Sequence, residues 1–269
     1  MPDIQTNAVD AANLVQMKSE AVQSFMMHHV MDSHSWAWLP HLHTPLPEPL
    51  TVHAVMMIAV AILLIVVLGI TGRRKQAVPT GLLNAVEFFA KYIRDEMVIP
   101  FLGEHDGRKM APMFCTLFFF ILIMNLVGLI PCFYTATANL GVTAALALVT
   151  LSFMIFGGIY RNGFVAFCKG FAPPGIPGPM LLMIVPIEIV SMFIRAMALA
   201  IRLFANMLAG HLVIYSLLGM IVMFGFYAAP ALLGALGIYL LEVFVSFLQA
   251  YIFTLLSAIF IGERYHPAH

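Results

Sequence analysis

Five long apolar runs dominate the chain, and short polar or Gly/Pro-rich stretches separate them. A helix that spans a bilayer needs roughly 17–25 mostly apolar residues, and each run comes close to or exceeds that length. We predict membrane spans at about residues 53–70, 112–131, 141–160, 180–224 and 231–261. The pattern is typical of an all-α, polytopic membrane protein with five membrane-crossing helices.

A sixth helix is predicted at about residues 80–97, where apolar residues recur at helical spacing and charged residues lie mostly on the other side. The apolar set is Leu82, Leu83, Val86, Phe89, Ala90 and Ile93, and the charged set is Glu87, Lys91, Arg94 and Asp95. Such a helix favours the membrane interface, so we expect one interfacial amphipathic helix beside the five spans.

The run at 180–224 is too long for an ordinary span. At about 1.5 Å per residue its roughly 45 residues make roughly 65 Å of helix, against about 30 Å of hydrocarbon. No cluster of turn residues lies between Ile187 and Phe224 to divide it into two spans. A long, steeply inclined helix that lies against a partner fits this length best.

Composition agrees with the membrane assignment, since 62% of the 269 residues are hydrophobic and only 10% are charged. A soluble domain has about 25% charged residues. The predicted connections place ten Lys and Arg residues on one side of the membrane and only Lys18 on the other. The positive-inside rule then predicts an extracytoplasmic N-terminal segment (1–50), a membrane domain (51–262) and a cytoplasmic tail (263–269).

Polar residues form a stripe along the run at 180–224. Glu188, Arg195 and Arg202 are seven residues apart and Asn206 follows four later, so all four share one helix face. His211 points elsewhere, roughly 140° around the helix from Asn206. A charge at the centre of a bilayer helix costs at least about 2.5–3.5 kcal/mol, so these residues need a partner, water or a function.

The last helix carries a second polar stripe made of Glu242, Ser246 and Gln249. These residues lie four and seven apart, on one face. His211, off the arginine stripe, is a candidate neighbour of Glu242. A carboxyl group and an imidazole near the membrane midplane can exchange protons near neutral pH.

Structural interpretations of these residues stay open. Glu188 and Arg195 fit an ion pair at the cytoplasmic end, and Asn206 and Gln249 fit interhelical hydrogen bonds. Arg202 is harder to explain in this way, because no acid lies three or four residues from it.

The run from Arg202 to His211, Arg-Leu-Phe-Ala-Asn-Met-Leu-Ala-Gly-His, closely resembles the signature of subunit a of the F-type ATP synthase. Supporting matches are Pro186–Glu188, the stretch Asn125–Pro131, and Glu242 with Gln249 in the last helix. The resemblance covers about residues 79–262. Many family members carry an Asp near the position of Asn139 and some near Gly128, whereas this sequence has neither acid.

The resemblance implies an ion-translocating stator that forms two proton half-channels against a ring of c subunits, with the last two helices long and steeply inclined. Arg202 would be the essential residue, facing the ring carboxylate and preventing a direct leak. The implied proton pathway comprises Glu242, His211, Gln249, Asn206, Glu188 and Ser246. The implied setting is a bacterial plasma (inner) membrane, in a complex with the c-ring, peripheral-stalk b subunits and the rest of the synthase.

Two other classes of function compete with this interpretation. A stand-alone secondary transporter or channel would usually show an internal repeat, and neither half of the chain mirrors the other. An intramembrane hydrolase would need a motif such as GxSxG or HExxH, which the sequence lacks. No phosphate-binding loop is present either. We therefore expect no catalysis by this chain alone, no cofactor or metal, and no nucleic-acid partner.

Overall fold

The computed structural model describes residue 13, residues 16–20, residue 24 and residues 51–73, 81–130, 135–172 and 178–266. The predicted segment 1–50 therefore lies almost entirely outside the described residues, as do residue 80 of the amphipathic helix, residue 131 of the second span and residues 267–269 of the tail. Within the described ranges the chain forms helices and turns, with no strand.

Within residues 51–130 the structure describes three α-helices. Helix α1 spans Val52–Arg73, and α2 spans Leu82–Tyr92. A π-helical turn, Ile93–Val98, joins α2 directly to α3, which spans Ile99–Gly128 and is kinked at Gly103. The kink needs glycine because the backbone there has φ 76°, which other residues rarely adopt.

The second half contains the longest helices. A 3₁₀ turn, Ala136–Ala138, leads into α4, Leu140–Ser152, which continues through a π turn, Phe153–Gly157, into α5, Gly158–Asn162. The short α6 spans Phe164–Lys169, and α7 spans Gly178–Phe224. A 3₁₀ turn, Gly225–Ala228, separates α7 from α8, Ala229–Tyr265.

Within the described residues, five helical segments are long and apolar enough to cross a membrane, and they correspond to the five predicted spans. The all-α, five-span fold class is therefore confirmed. The run at 180–224 is a single helix of 47 residues, as its lack of turn residues indicated. In the second segment the helix begins well before residue 112, and Pro112 lies inside it. Hydropathy marks where apolar residues begin, whereas backbone hydrogen bonding continues into polar sequence.

The amphipathic α2 packs its apolar face on the helix bundle. The Phe89 ring lies 6.0 Å from that of Phe118 and 5.5 Å from that of Phe247. On the exposed side Glu87 and Lys91 form an ion pair of 2.6 Å. The amphipathic pattern is thus present, and its location in the membrane interface stays a prediction.

Helices α7 and α8 form an antiparallel pair with a consistent register. The Glu242 side chain lies against Gly210, Leu217 lies near Gly234, and Glu188 pairs with Arg264. Counting eight residues from Gly210 and from Glu242 places Arg202 level with Ala250, next to Gln249. By the same count Asn206 is level with Ser246.

The C-terminal end of α8 is fixed to three neighbouring elements. Nε2 of His266 lies 2.9 Å from the carbonyl oxygen of Leu102 in α3. The Asn162 amide of α5 donates to the Arg264 carbonyl at 3.0 Å. The Arg264 guanidinium pairs with Glu188 of α7 and lies 4.5 Å from the ring centroid of Phe171. Hydrogen bonds, an ion pair and a cation–π contact together hold this end.

Replacing Gly262 with alanine tests how closely α8 packs on α3. A Cβ atom at Gly262 would lie 2.6 Å from the Phe101 carbonyl oxygen, whereas a Cβ at Gly237, in the same helix, would meet nothing within 4 Å. We expect Gly262→Ala to destabilise the protein by about 1–3 kcal/mol through overpacking. Gly237→Ala should leave stability unchanged or raise it by up to about 1 kcal/mol. Thermal unfolding of the two detergent-purified variants checks this, and equal unfolding temperatures would contradict the close packing.

Candidate functional site

Arg202 lies on an exposed face of α7, while its neighbours Leu199 and Leu203 are buried. Three alanines near it on this helix, Ala198, Ala205 and Ala209, are also exposed. Within the described ranges Arg202 has no hydrogen-bond or ion-pair partner. The fold therefore leaves this cation on an exposed helix face with alanines beside it.

The guanidinium of arginine stays charged even when buried, so Arg202 cannot relieve its cost by losing a proton. In a membrane-crossing helix such a charge requires either an anionic partner or contact with water. The described part of this chain supplies no carboxylate to it.

Glu242 and His211 lie together between α7 and α8. Glu242 is buried, with 5% of its surface exposed, and its Oε1 lies 3.7 Å from Nδ1 of His211. Both carboxylate oxygens are buried and have no hydrogen-bond partner among the described residues. Gly210 makes room for this carboxylate, because a Cβ there would lie 1.4 Å from Oε1. The sequence-predicted neighbours are therefore adjacent.

A cavity of about 250 Å³ opens beside this pair. Both titratable side chains line it, together with Tyr215 and Tyr239, and apolar residues complete its wall. A carboxyl group and an imidazole that line one cavity can exchange protons with water inside it.

His211 has further partners that the sequence did not indicate. Its Nε2 lies 2.7 Å from Oγ1 of Thr135 and 3.1 Å from the carbonyl oxygen of Gly128. Its Nδ1 lies 3.0 Å from the carbonyl oxygen of Met207, one turn earlier in α7. Thr135 precedes a 3₁₀ turn between two helices, where no periodic pattern predicts what a side chain contacts.

Buried polar side chains continue from Glu242 along α8. Ser246 and Gln249 are buried, and Oγ of Ser246 and Nε2 of Gln249 have no partner among the described residues. Asn125 of α3 donates to the Ser246 carbonyl at 3.5 Å, and its own Oδ1 is likewise unpartnered in the described part. Buried polar atoms of this kind commonly bind water. The half-buried Asn206 lies level with them on α7.

Glu188 lies away from this group and takes part in an ion-pair cluster. Its Oε1 is 2.6 Å from Arg264 and 3.8 Å from Arg195, and Arg195 in turn pairs with Glu263. The predicted pair of Glu188 with Arg195 is present, but Arg264, in the segment expected to be the tail, is its closer partner. Sequence periodicity could not indicate a contact between helices 76 residues apart.

A surface depression of about 350 Å³ lies next to this cluster. It is lined by Pro186, Ile187, Val190, Ser191, Ile194 and Arg195. Along α7, Arg202 therefore lies between this depression and the cavity beside His211. The seven predicted site residues divide into Arg202 on an open face, a buried group around Glu242, and Glu188 in a separate cluster.

These features define a class: a multi-pass membrane protein with a buried acid–imidazole pair and an unpaired cation on a helix face. The family model described as ATP synthase A chain matches residues 53–262. The chain belongs to this family.

Curated relatives agree with the family assignment. The chain is 46% identical over 218 residues to ATP synthase subunit a of Anaeromyxobacter dehalogenans strain 2CP-C, covering 79% of this chain and 57% of that protein. It is 42% identical over 254 residues to ATP synthase subunit a of Chloroherpeton thalassium, covering 88% and 75%. The relative in Myxococcus xanthus is 43% identical over 225 residues, covering 82% and 74%. The chain spans only 57% and 50% of the lengths of two Anaeromyxobacter dehalogenans relatives.

The ion-pair cluster predicts unequal effects of its two acids. Glu188 neutralises Arg264, whose side chain is 7% exposed, whereas Glu263 is 48% exposed and pairs with a less buried arginine. Glu188→Gln should destabilise the protein by about 1–3 kcal/mol, less than a fully buried pair because Glu188 is partly hydrated. Glu263→Gln should cost at most about 1 kcal/mol. Denaturation midpoints of the purified variants measure both, and a larger effect of Glu263→Gln would contradict the assignment.

Proposed function

We propose that this chain is the ion-translocating stator subunit of a rotary F-type ATP synthase, and that it forms two proton half-channels against a c-ring. The observation that carries the proposal is Arg202, a cation without a partner among the described residues, which lies on an exposed face of α7 between a depression and a cavity along that helix. The family membership of the chain supports it.

The partner of Arg202 is proposed to be the deprotonated carboxylate of a ring subunit. Small residues around the guanidinium allow a second helix to approach closely. A protonated ring carboxyl group that arrives there releases its proton to water in a half-channel, because an adjacent cation favours the charged form of an acid. The same fixed charge repels a free proton, so it separates the two half-channels.

The outer half-channel is proposed to begin at the cavity lined by His211 and Glu242. From there the pathway follows Ser246, Asn206 and Gln249 towards the level of Arg202. The unpartnered buried atoms of Ser246 and Gln249 support this route, since they suit hydrogen bonds to water. In the helix register these groups cover eight residues of α7, or about 12 Å.

The inner half-channel is proposed to open at the depression beside Ser191 and Arg195, with Glu188 at its margin. Glu188 is paired with two arginines, so its proposed role is to fix the charge at this mouth rather than to carry protons. It lies fourteen residues from Arg202, or about 21 Å along the helix.

The remaining assignments follow from this proposal. The chain would lie in a bacterial plasma membrane with its N-terminus outside and its C-terminus in the cytoplasm, surrounded by lipid. It would bind the c-ring and the peripheral-stalk b subunits, and nucleotide chemistry would belong to other subunits of the synthase.

Replacing Arg202 tests the central charge. Arg202→Ala should abolish ATP-driven proton pumping by the assembled complex in vesicles, because no fixed cation then favours the deprotonated form of the ring carboxyl group. Passive proton leak should stay the same or rise. Arg202→Lys is the matched variant, since it keeps a cation without the planar guanidinium, and it should leave more activity than alanine. Normal pumping by an assembled Arg202→Ala complex would refute the proposed function.

Replacing Glu242 tests the outer half-channel. Glu242→Gln keeps the size of the side chain and removes its titratable proton, so ATP-driven proton flux should fall across roughly pH 6–8, where such pairs exchange protons. Glu104→Gln is the control, because Glu104 is exposed and pairs with Arg108 on its own helix. Unchanged flux in Glu242→Gln over that range would make Glu242 a structural residue.

A further inference from the structure

Among the described residues, the polar atoms that contact the ring nitrogens of His211 are all oxygens that can accept a hydrogen bond. Nε2 faces Oγ1 of Thr135 at 2.7 Å and the Gly128 carbonyl at 3.1 Å. Nδ1 faces the Met207 carbonyl at 3.0 Å and the Glu242 carboxylate at 3.7 Å. A doubly protonated imidazole therefore satisfies both sides, since both of its nitrogens are donors.

A neutral imidazole is harder to satisfy in this setting, because one nitrogen then becomes an acceptor and needs a donor. On the Nδ1 side the Met207 carbonyl cannot donate at all. On the Nε2 side the Gly128 carbonyl cannot donate either. When Glu242 is ionised, the Thr135 hydroxyl is the group among the described contacts of the two nitrogens that can donate a hydrogen bond.

The Thr135 hydroxyl donates to the Gly128 carbonyl at 2.9 Å, and in that arrangement it would accept from the Nε2–H of a protonated His211. Rotation about its C–O bond would turn the same proton towards Nε2. The hydroxyl would then donate to a neutral His211 that keeps its proton on Nδ1. Thr135 is buried, with 4% of its surface exposed, so bulk water does not readily replace it.

The geometry around Thr135 is built for this contact. A Cβ atom at Gly128 would lie 2.7 Å from Cγ2 of Thr135, so a side chain at Gly128 would push the threonine away. Among the described residues, the other ionisable groups facing His211 are Glu242 from α8, Tyr215 from its own helix, whose ring centroid lies 6.0 Å away, and Tyr239 across the cavity. Among the described residues no second carboxylate lies within ion-pair distance of the imidazole.

We propose that Thr135 is a positioning residue of the outer half-channel, which stabilises neutral His211 and so lets it release its Nε2 proton to water in the cavity. In this step the Nε2–H bond breaks, the proton passes to a water molecule, and the Thr135 O–H turns from Gly128 to the vacated nitrogen. His211 thereby changes charge next to Glu242 while Nδ1 keeps its proton. The inference rests on the proposed proton pathway.

Three substitutions test the role of the hydroxyl in the assembled complex. Thr135→Val keeps the shape and removes the hydroxyl, whereas Thr135→Ser keeps the hydroxyl. Thr137→Val is the matched control, because Thr137 is equally buried two residues away and its Oγ1 has no partner in the described part of the chain. ATP-driven proton pumping is measured in vesicles as a function of the pH on the side to which protons are delivered.

In Thr135→Val the protonated imidazole can still donate from Nε2 to the Gly128 carbonyl. The neutral imidazole, in contrast, loses the hydroxyl that would donate to Nε2. His211 therefore holds its proton to higher pH, and the pH profile should move upward with pumping about 3- to 10-fold slower at neutral pH, as expected for one hydrogen bond. Thr135→Ser and Thr137→Val should keep the wild-type profile. A wild-type profile in Thr135→Val, or the same change in Thr135→Ser, would overturn the inference.

Two further measurements separate the possible causes of failure. If Thr135→Val does not assemble, Thr135→Ala removes the hydroxyl without adding apolar volume and should give the same upward shift; an unshifted profile would again overturn the role. If Thr135 variants are normal while Arg202→Ala abolishes pumping, only the threonine role fails. If Arg202→Ala pumps normally, the proposed function fails first.

Discussion

A permanent positive charge inside a membrane-crossing helix is the constraint on which the rest of this structure depends. Arg202 cannot be neutralised, so the fold has to leave one side of α7 free for a partner. Helices α4 and α8 accordingly pack on the other side, where α7 buries residues such as Leu199, Leu203 and Met207. Exposed alanines lie beside Arg202 on this free side. The packing of the described helices thus leaves the face of α7 that carries Arg202 uncovered.

The fold was largely predictable because apolar length and periodicity record which helices cross a membrane. The unbroken run that contains Arg202 indicated a single overlong helix, and α7 is one helix. Helix ends were less predictable, as in α3, because backbone hydrogen bonds continue through polar sequence that hydropathy excludes. The kink at Gly103 shows that a glycine, rather than Pro112, bends this segment.

The site was predictable where its residues share a helix face and not where they come from separate elements. Glu242 and His211 could be paired from their wheel positions, and the structure places them 3.7 Å apart. Thr135 could not be found this way, because its contact with His211 joins residues 76 apart through an irregular turn. Arg264 was missed for a related reason: a charged residue near a terminus is normally solvated, yet here it is buried against Glu188.

The contacts at the C-terminal end of α8 also determine how the α7–α8 pair would respond to a sideways force. Three neighbouring elements hold the tip near Arg264, whereas the opposite end turns through the short 3₁₀ segment Gly225–Ala228. A sideways load on the pair would be resisted at the anchored tip and absorbed at the hairpin end. His211 and Glu242 lie towards that compliant end. Lateral stress would therefore widen or narrow their cavity while leaving the anchored tip nearly unmoved.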